Sequence, residues 1–413
     1  MRYSQLVGKT KKEAPHDETS KNAQLLIRAG YIEKEMAGTY AFLPLGLITL
    51  RKIMQVIREE MNAIGAQEVY LSSLQSPEVW KKSGRWDDHV VDVWFKSKLK
   101  NDVEVGLAWS HEEPLTQIMT KHVQSYKDLP IYAYQFSTKL RNELRAKNGL
   151  LRTREFIMKD LYSFDVDEAA LENFYEKCKQ AYFKIFDRLG IGDRTYLTFA
   201  SGGAFSKYSH EFQTVCEAGE DTIYLDEAKK LAINKEVYFE DSLKELGVNK
   251  SDLKEVAAIE VGNIFSLKTR YSEPLGLNYT DENGAQKPVH MGSYGIGPAR
   301  VMATIVELLS DEKGIVWPEA LAPFKFHLVG LDLQDEAIKT QAENVYNHLT
   351  ADGIEVLYDD RVDVAAGQKF ADADLLGNPY RLVVSKKSGD KVEVKNRKSS
   401  ETKLVTVEEL SKL

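Results

Sequence analysis

The stretch TKLRNELRAKNGLLRTREFIMKDLYSF, residues 138–164, decides the fold of this chain. Its end, FIMKDLYSF (156–164), and the preceding IYAYQF (131–136) are apolar and aromatic, which predicts two strands joined by a polar connection. The connection is rich in arginine, and a guanidinium binds phosphate oxygens bidentately and keeps its charge at physiological pH. The connection therefore suits a nucleoside triphosphate, while a surface hairpin held by ion pairs stays open as the alternative. Four arginines lie in this region: Arg141, Arg145, Arg152 and Arg154.

Helices flank these two strands on both sides in the sequence. Apolar residues recur at three- and four-residue spacing over 45–64, which predicts an amphipathic helix, and a short strand over 68–71 follows it. After the second strand, the spacing predicts a helix over 168–188, capped by Asp165 or Asp167. The pattern indicates a sheet with helices packed against it.

A second glycine-rich segment, MGSYGIGPAR (291–300), reads as a buried strand that runs into a helix carrying Arg300. Glycine lets a ligand approach the backbone, and a helix start favours anions. The spacing is neither G-x-G-x-x-G nor a P-loop, which disfavours a Rossmann or Walker site. A packing role for the glycines stays open.

Two changes in residue composition and pattern along the chain predict the domain organisation. Residues 217–256 are charged and rich in Lys and Glu, which indicates a small insertion or linker. After Pro323, strand and helix patterns alternate with short loops, which predicts a compact α/β domain with a mixed sheet. We place the boundary at about residue 322 and expect a multidomain fold that combines α+β and α/β parts.

Two short histidine-containing segments could carry chemistry. In Ser110-His111-Glu112-Glu113, a metalloprotease motif is excluded because position 115 is leucine. A carboxylate beside a hydroxyl could hold a substrate ammonium, or Ser110 could cap a helix with acids in its first turn. In the second segment, His210 has no nucleophile or acid partner at the spacing of a catalytic triad, and a structural role is the ordinary alternative.

Composition limits the partners. The 413 residues hold 55 Lys and Arg against 63 Asp and Glu, a net charge of −8, so a purely electrostatic nucleic-acid coat is disfavoured. Residues 381–403 nevertheless carry eight cations and three acids, either a solvated face or a contact with a polyanion. Two cysteines make neither a disulfide framework nor a multi-cysteine zinc site, and no apolar run predicts a secretory signal or a membrane span. We expect a cytoplasmic protein.

Taken together, the segments resemble class II aminoacyl-tRNA synthetases, and most closely the bacterial-type prolyl-tRNA synthetases. The resemblance implies an antiparallel-sheet catalytic domain over 1–322 and an α/β anticodon-binding domain over 323–413. It also implies a homodimer formed through the family's motif 1, where Ser72 stands in place of a proline. The matching strings are LLIRAGYIEKEMAGTYAFLPLG (25–46), the helix and strand of 47–71, the motif 2 stretch 138–164, the motif 3 stretch 292–300, GIVWP (314–318), GIEVLYDDR (353–361) and GQKFADADLLGNP (367–379).

The resemblance implies that ATP and proline form prolyl-adenylate, with Mg²⁺ carried on ATP and no resident metal, and that the prolyl group passes to tRNA(Pro). In the family pattern, the residues that match the ATP site are Arg141, Glu143, Leu151, Thr153, Gly297 and Arg300. The residues that match the proline site are Ser110, Glu112, Arg141, Phe156, Met158, Tyr162, His210 and Ser293. Arg141 and Arg300 would be the catalytic pair. The positions that match anticodon contacts are Asp360, Arg361 and Lys369.

One departure concerns editing. Many bacterial relatives carry a hydrolytic domain of well over 100 residues where this chain has only residues 213–260. The resemblance therefore predicts no clearance of mischarged alanine by this chain itself. Two rival functions remain: an accessory subunit that no longer activates amino acids, and a different class II specificity. A threonyl enzyme would need a zinc site that the two cysteines cannot supply.

Overall fold

The computed structural model describes residues 1–201 and 208–413. Helix boundaries agree closely with the sequence pattern: the long N-terminal helix is predicted over 45–64 and observed over Pro44–Ala63. None of the helices in the described residues combines the length and apolar character needed to cross a bilayer. The helices are α1 (Lys21–Arg28), α2 (Pro44–Ala63), α3 (Pro77–Ser83), α4 (Glu112–Met119), α5 (Glu168–Arg188), α6 (Glu240–Glu245), α7 (Ser272–Leu275), α8 (Pro298–Leu308), α9 (Glu336–Ala351), α10 (Ala366–Leu376) and α11 (Val407–Leu410).

Most strands are short, and the three longest, β7, β8 and β13, belong to the main sheet. The strands are β1 (Ile32–Met36), β2 (Thr39–Phe42), β3 (Gln67–Glu68), β4 (Leu74–Gln75), β5 (Lys96–Lys98), β6 (Glu104–Leu107), β7 (Ile131–Leu140), β8 (Glu155–Asp165), β9 (Thr195–Ser201), β10 (Tyr208–Val215), β11 (Asp221–Asp226), β12 (Leu231–Asn234), β13 (Lys254–Lys268), β14 (Asn278–Thr280), β15 (Gln286–Pro288), β16 (His290–Ile296), β17 (Ser310–Asp311), β18 (Gly314–Ile315), β19 (Phe326–Gly330), β20 (Val356–Asp359), β21 (Tyr380–Val384), β22 (Val392–Asn396) and β23 (Thr402–Val405).

The described residues group into two compact units that do not follow sequence order. The catalytic-sheet unit comprises Ala37–Thr39 and Met54–Thr304. The C-terminal unit comprises Met1–Met36, Tyr40–Ile53 and Ile305–Leu413. The N-terminal segment thus belongs with the C-terminal sheet, a grouping that differs from a single division at residue 322 and that rests on contacts far apart in sequence.

The main sheet of the catalytic-sheet unit has the order β10-β9-β12-β11-β13-β16-β8-β7-β3, with an additional pairing of β10 to β13. Neighbours are antiparallel except for β3 with β7 and β12 with β9. Because side chains alternate across a strand, Asp160 and Tyr162 share one face, while Lys159 points to the other and donates to Tyr182 of α5. Helix α5 therefore covers one face and leaves the other for the site. Asp167, one of the two predicted caps, accepts from the backbone N–H of Ala170.

The segment 217–256 is an insertion into the sheet. Its strands β11 and β12 lie between β9 and β13, and α6 follows them. The insertion has a small apolar core of its own, formed by Ile233, Val237, Leu243 and Val248. A small extension of the sheet thus occupies the place where the family resemblance would allow an editing domain.

The C-terminal unit contains the predicted mixed sheet, in the order β20-β19-β21-β22-β23. Strand β19 is parallel to both β20 and β21, and β22 and β23 are antiparallel. Arg2 bridges to Tyr358 beside the edge strand β20, and its guanidinium donates to the Glu343 carboxylate at 2.7 Å. The N-terminal residues thereby cover the open edge of this sheet.

Candidate active site

A cavity of about 320 Å³ lies over the site face of the main sheet and under the loop between β7 and β8. The lining comes from the motif 2 stretch, from β13 with the start of the insertion, and from the motif 3 stretch. Segments that are far apart in sequence therefore form one concave surface. The lining includes these residues predicted for ATP and proline: Arg141, Glu143, Leu151, Thr153, Phe156, Met158, Gly297 and Arg300.

Arg141 and Arg300 both line the cavity, but the contacts that hold their guanidiniums differ. Arg300 is anchored, since its guanidinium donates to the carbonyls of Leu151 and Glu260, each at 3.0 Å. Arg141 contacts the rings of Trp109 and Phe156, and its buried Nε has no hydrogen-bond partner among residues 1–201 and 208–413. Burial and the positive charge of Arg300 lower the pKa of Arg141. An anion between the two guanidiniums would relieve that repulsion.

The loop over the cavity is held by a small ionic cluster. Arg152 donates to the Glu143 carboxylate at 2.8 and 3.1 Å. Glu220, at the start of the insertion, accepts from Asn148 at 2.7 Å and from Arg152 at 3.4 Å, and it forms an ion pair with Lys147 at 3.3 Å. Arg152 thus orients Glu143, which the sequence predicts to bind the adenine of ATP, and Glu220 attaches the loop to the sheet.

The predicted ammonium residues form a second group on the same face. Glu112 begins α4; its Oε1 lies 3.5 Å from the Ser293 hydroxyl, and its Oε2 lies 3.2 Å from Arg85. Ser110 does not cap the helix, whose N-cap is His111; its hydroxyl instead lies near Glu112 and helps to lower the pKa of that carboxyl. Ser110, Glu112, Tyr162 and Ser293 are therefore brought together.

The residues predicted to bind the ammonium and those that line the cavity interact electrostatically. Glu112 and Arg300 both act electrostatically on Arg141. An acid suits an ammonium, and guanidiniums suit carboxylate and phosphate oxygens. These are the charged groups that activation of an amino acid by a nucleoside triphosphate requires.

Comparisons with known proteins identify the family of this chain. Residues 94–308 match the family described as tRNA synthetase class II core domain (G, H, P, S and T), and residues 320–413 match the anticodon binding domain. The chain is 39% identical over 427 residues to the Maricaulis maris (strain MCS10) protein named proline--tRNA ligase, covering 97% of this chain and 96% of that one. The chain belongs to the proline--tRNA ligase family.

Other members of the proline--tRNA ligase family give the same result. The Rickettsia bellii (strain OSU 85-389) proline--tRNA ligase is 38% identical over 404 residues, covering 94% of this chain and 93% of the relative. Among solved structures, the Giardia lamblia prolyl-tRNA synthetase in complex with prolyl-adenylate has a TM-score of 0.76 at 18% identity, covering 94% of this chain and 74% of that chain. At that identity, the structural likeness supports the fold alone.

One predicted proline-site residue of this family member is placed elsewhere. His210 lies on the face of the main sheet that α5 covers, where Tyr175 lies 2.8 Å from its Nδ1 and Phe199 packs edge-on against its ring. Its neighbour Glu211 points to the opposite side, because residues alternate along β10. Burial and the nearby Lys179 lower the pKa of His210 to about 4. The structure thus gives His210 the contacts of a structural histidine rather than a place beside Glu112.

The three predicted anticodon residues are also engaged within the C-terminal unit. Asp360 accepts from the backbone and hydroxyl of Ser4 at 2.9 and 2.7 Å. Lys369 is buried and donates to the Gly330 carbonyl at 2.6 Å. Their polar groups make hydrogen bonds within the protein, and their role in anticodon recognition stays a prediction.

Arg361 is the most heavily paired of the three. It donates to Asp359 at 2.8 and 2.6 Å and to Asp372 at 2.8 Å. Its guanidinium also lies 3.9 Å from the centre of the Tyr3 ring. The sequence pattern could not reveal this, because Asp372 and Tyr3 reach Arg361 only through the tertiary fold.

The sequence did not single out Lys139 and Asp160, which form a buried network with the predicted residue Tyr162. Lys139 lies at the centre of a buried network, 2.8 Å from Asp160 and 2.9 Å from Nδ1 of His111. Tyr162 donates to Asp160 at 3.0 Å and accepts from the His111 backbone at 3.2 Å. This network fixes the 110–113 loop against β7 and β8. The only sequence signal was the presence of charged residues inside apolar strand patterns.

Metal ligands are a separate question. In the described parts of the chain, no group of three or more His, Cys, Asp or Glu side chains is placed to hold a metal ion.

Proposed function

We propose that this chain activates proline with ATP to form prolyl-adenylate and then transfers the prolyl group to the 3′ end of tRNA(Pro). The observation that carries the proposal is the cavity shared by Arg141 and Arg300, with Glu112 near enough to act electrostatically on Arg141. Relatives named proline--tRNA ligase over nearly the full chain support it. The accessory-subunit alternative is disfavoured because the charged groups needed for activation are present.

Each end of the site then has a chemical task. Glu112 and Ser110 hold the proline ammonium, and Arg141 bridges the proline carboxylate and the α-phosphate. Arg300 holds the γ-phosphate. The walls of the pyrrolidine pocket are Phe156, Met158, Tyr162 and Ser293, and the adenine end is held by Glu143, Leu151, Thr153 and Gly297.

The energetic argument is electrostatic. Attack of the proline carboxylate on the α-phosphorus builds negative charge on phosphate oxygens, and a preorganised guanidinium stabilises that charge without reorganisation. Arg141 is preorganised by its two ring contacts, and its buried Nε is unpartnered among the described residues. Mg²⁺ bound to the ATP phosphates would supply further charge neutralisation.

ATP–pyrophosphate exchange with each of the twenty amino acids tests this function directly. We expect exchange with proline and background rates with the other amino acids. Exchange with a different amino acid would reassign the specificity within class II, and a complete absence of exchange would favour an accessory subunit. The assay needs no tRNA, so it separates activation from transfer.

The proposal includes the absence of editing by this chain. Between Phe212 and Val261 it holds only two additional strands and short helical segments, too little for a separate hydrolytic domain. Rejection of a smaller amino acid by binding alone is limited to about 1–3 kcal/mol per missing methylene. Incubation with Ala-tRNA(Pro) should leave the ester at its buffer half-life, and deacylation well above that rate would contradict the prediction.

Further parts of the proposal concern organisation. We take 1–322 as the catalytic domain and 323–413 as the anticodon-binding domain, supported by the two family matches. A homodimer would form through the motif 1 helix α2 and the strand after it. A cytoplasmic location is supported by Cys178 and Cys216, which are both buried and form no disulfide in the described residues. Sedimentation of the full chain with and without tRNA tests the dimer.

A further inference from the structure

Arg85 connects two neighbouring carboxylates that sequence reasoning did not pair. It follows α3 and is buried, with 8% of its surface exposed. Its NH1 lies 3.2 Å from the Glu112 Oε2, 3.2 Å from both oxygens of Glu113, and 2.7 Å from the Tyr271 hydroxyl. The guanidinium also stacks 4.4 Å from the centre of the Trp109 ring. Arg85 is therefore held in place and shared by both acids.

The charge count of this cluster is unbalanced. One guanidinium faces two carboxylates, so the cluster carries a net charge of −1 when both acids are ionised. Glu113 is fully buried, and its carboxylate also accepts from the Ser83 hydroxyl at 2.7 Å. An uncompensated buried charge is costly. Burial and the adjacent Glu112 raise the pKa of Glu113 to about 7, although Arg85 opposes the shift.

Among the titratable groups around Glu112, Glu113 is the one that we expect to gain or lose a proton near neutral pH. Arg85 and the Ser110 hydroxyl lower the pKa of Glu112 against the effect of its burial. The other charged groups that act on Glu112 are Arg141, Lys139, His111 and Asp160. Among them, Lys139 is paired with Asp160 at 2.8 Å, and burial with Lys139 lowers the pKa of His111 to about 4. Neither His111 nor Asp160 therefore changes charge near neutral pH.

We propose that Glu113 releases a proton to solvent when the proline ammonium binds Glu112, so that Arg85 and Glu113 act as positioning residues that set proline affinity. The inference rests on the proposed function, because it takes Glu112 as the ammonium ligand. When Glu113 is protonated, Arg85 is committed to Glu112 and cancels its attraction for the ammonium. When Glu113 is ionised, Arg85 is divided between two acids, and Glu112 retains negative charge for the substrate.

The sign of the pH dependence follows from linkage. Proline binding favours ionised Glu113, so proline affinity must fall as the pH drops through about 7. We expect KM for proline in pyrophosphate exchange to be about tenfold higher at pH 6 than at pH 8.5, with little change in kcat. In Glu113→Gln, which mimics the protonated acid, KM for proline should stay at the high value across this range. Glu113→Asp should restore part of the pH dependence.

Calorimetry gives a readout that a purely structural role would not move. Titration of the wild-type chain with proline in PIPES and in Tris, whose ionisation enthalpies differ, should report release of about half a proton at pH 7. The release should approach zero at pH 8.5 and be absent in Glu113→Gln. Glu78→Gln, on the exposed start of α3, is the matched control and should behave as wild type. KM for ATP should have the same pH profile in all variants.

The outcomes separate the inference from the proposed function. If the wild type exchanges pyrophosphate with proline but KM is flat with pH, or if Glu113→Gln retains the wild-type profile, the inference is wrong and the proposed function stands. If the wild type shows no proline-dependent exchange, the proposed function fails first. A lowered thermal midpoint with an unchanged pH profile in folded Glu113→Gln would assign Glu113 a folding role and overturn the inference.

Discussion

Two arginines from motif-like segments, Arg141 and Arg361, have opposite surroundings in the two units. Arg361 donates to two aspartates and stacks on Tyr3, so its charge is satisfied by the protein. Arg141 faces a cavity beside another guanidinium, with a buried Nε that has no partner in the described residues. The comparison teaches that a motif position alone does not show whether an arginine is available to a ligand, because the fold decides whether its guanidinium is paired or faces a cavity.

The largest expected effect tests the unsatisfied arginine. Arg141→Gln removes the guanidinium from the cavity and should lower the rate of proline-dependent pyrophosphate exchange by about 10²–10³-fold. The thermal midpoint should change little, because the lost group makes no described hydrogen bond. Arg145→Gln in the same exposed loop is the matched control and should retain exchange. Equal losses in both variants would indicate a general disturbance of the loop.

The next largest effect is expected at Arg361, whose charge is paired with two aspartates. Arg361→Ala leaves Asp359 and Asp372 without their partner and should destabilise the chain by about 2–3 kcal/mol in chemical unfolding. Lys398→Ala, an exposed change in the same unit, should have almost no effect. If Arg361→Ala keeps wild-type stability and loses only aminoacylation of tRNA(Pro), then Arg361 contacts RNA. Its charge would then serve a ligand, as the charge of Arg141 is proposed to do.

A smaller effect tests how the cavity is held open. Glu220→Ala removes the contacts of the insertion with Asn148, Lys147 and Arg152. These pairs are partly exposed, so we expect a rise in KM for ATP of about threefold, corresponding to less than 1 kcal/mol. Glu227→Ala in the same insertion is the control. A change in kcat without a change in KM for ATP would argue against positioning of the loop.

The sequence was most reliable where a local pattern sets the structure. The spacing of apolar residues predicted α2 and α5 to within one residue at each end, and Asp167 was among the predicted caps. The strands on either side of the arginine-rich loop were also predicted, although both are longer than their apolar cores. Helical periodicity and capping depend on neighbours within a few residues, which the sequence displays directly.

The sequence was less reliable for the orientation of single side chains. His210 matched a family position, yet strand alternation turns it toward α5 and Tyr175. Arg85 gave no sequence signal, because its partners Glu112, Glu113 and Tyr271 are 27 to 186 positions away. Register and long-range packing decide which face a residue occupies, and a one-residue shift reverses that face.

By itself, the sequence determined the periodic elements, the order of the motif segments and the types of charged group available for a nucleotide and an amino acid. Only the tertiary structure decided which of those charges are neutralised within the protein and which face a cavity. The physical reason is that secondary structure depends on local torsion and hydrophobic spacing, whereas the state of a charge depends on burial and on partners brought together by folding.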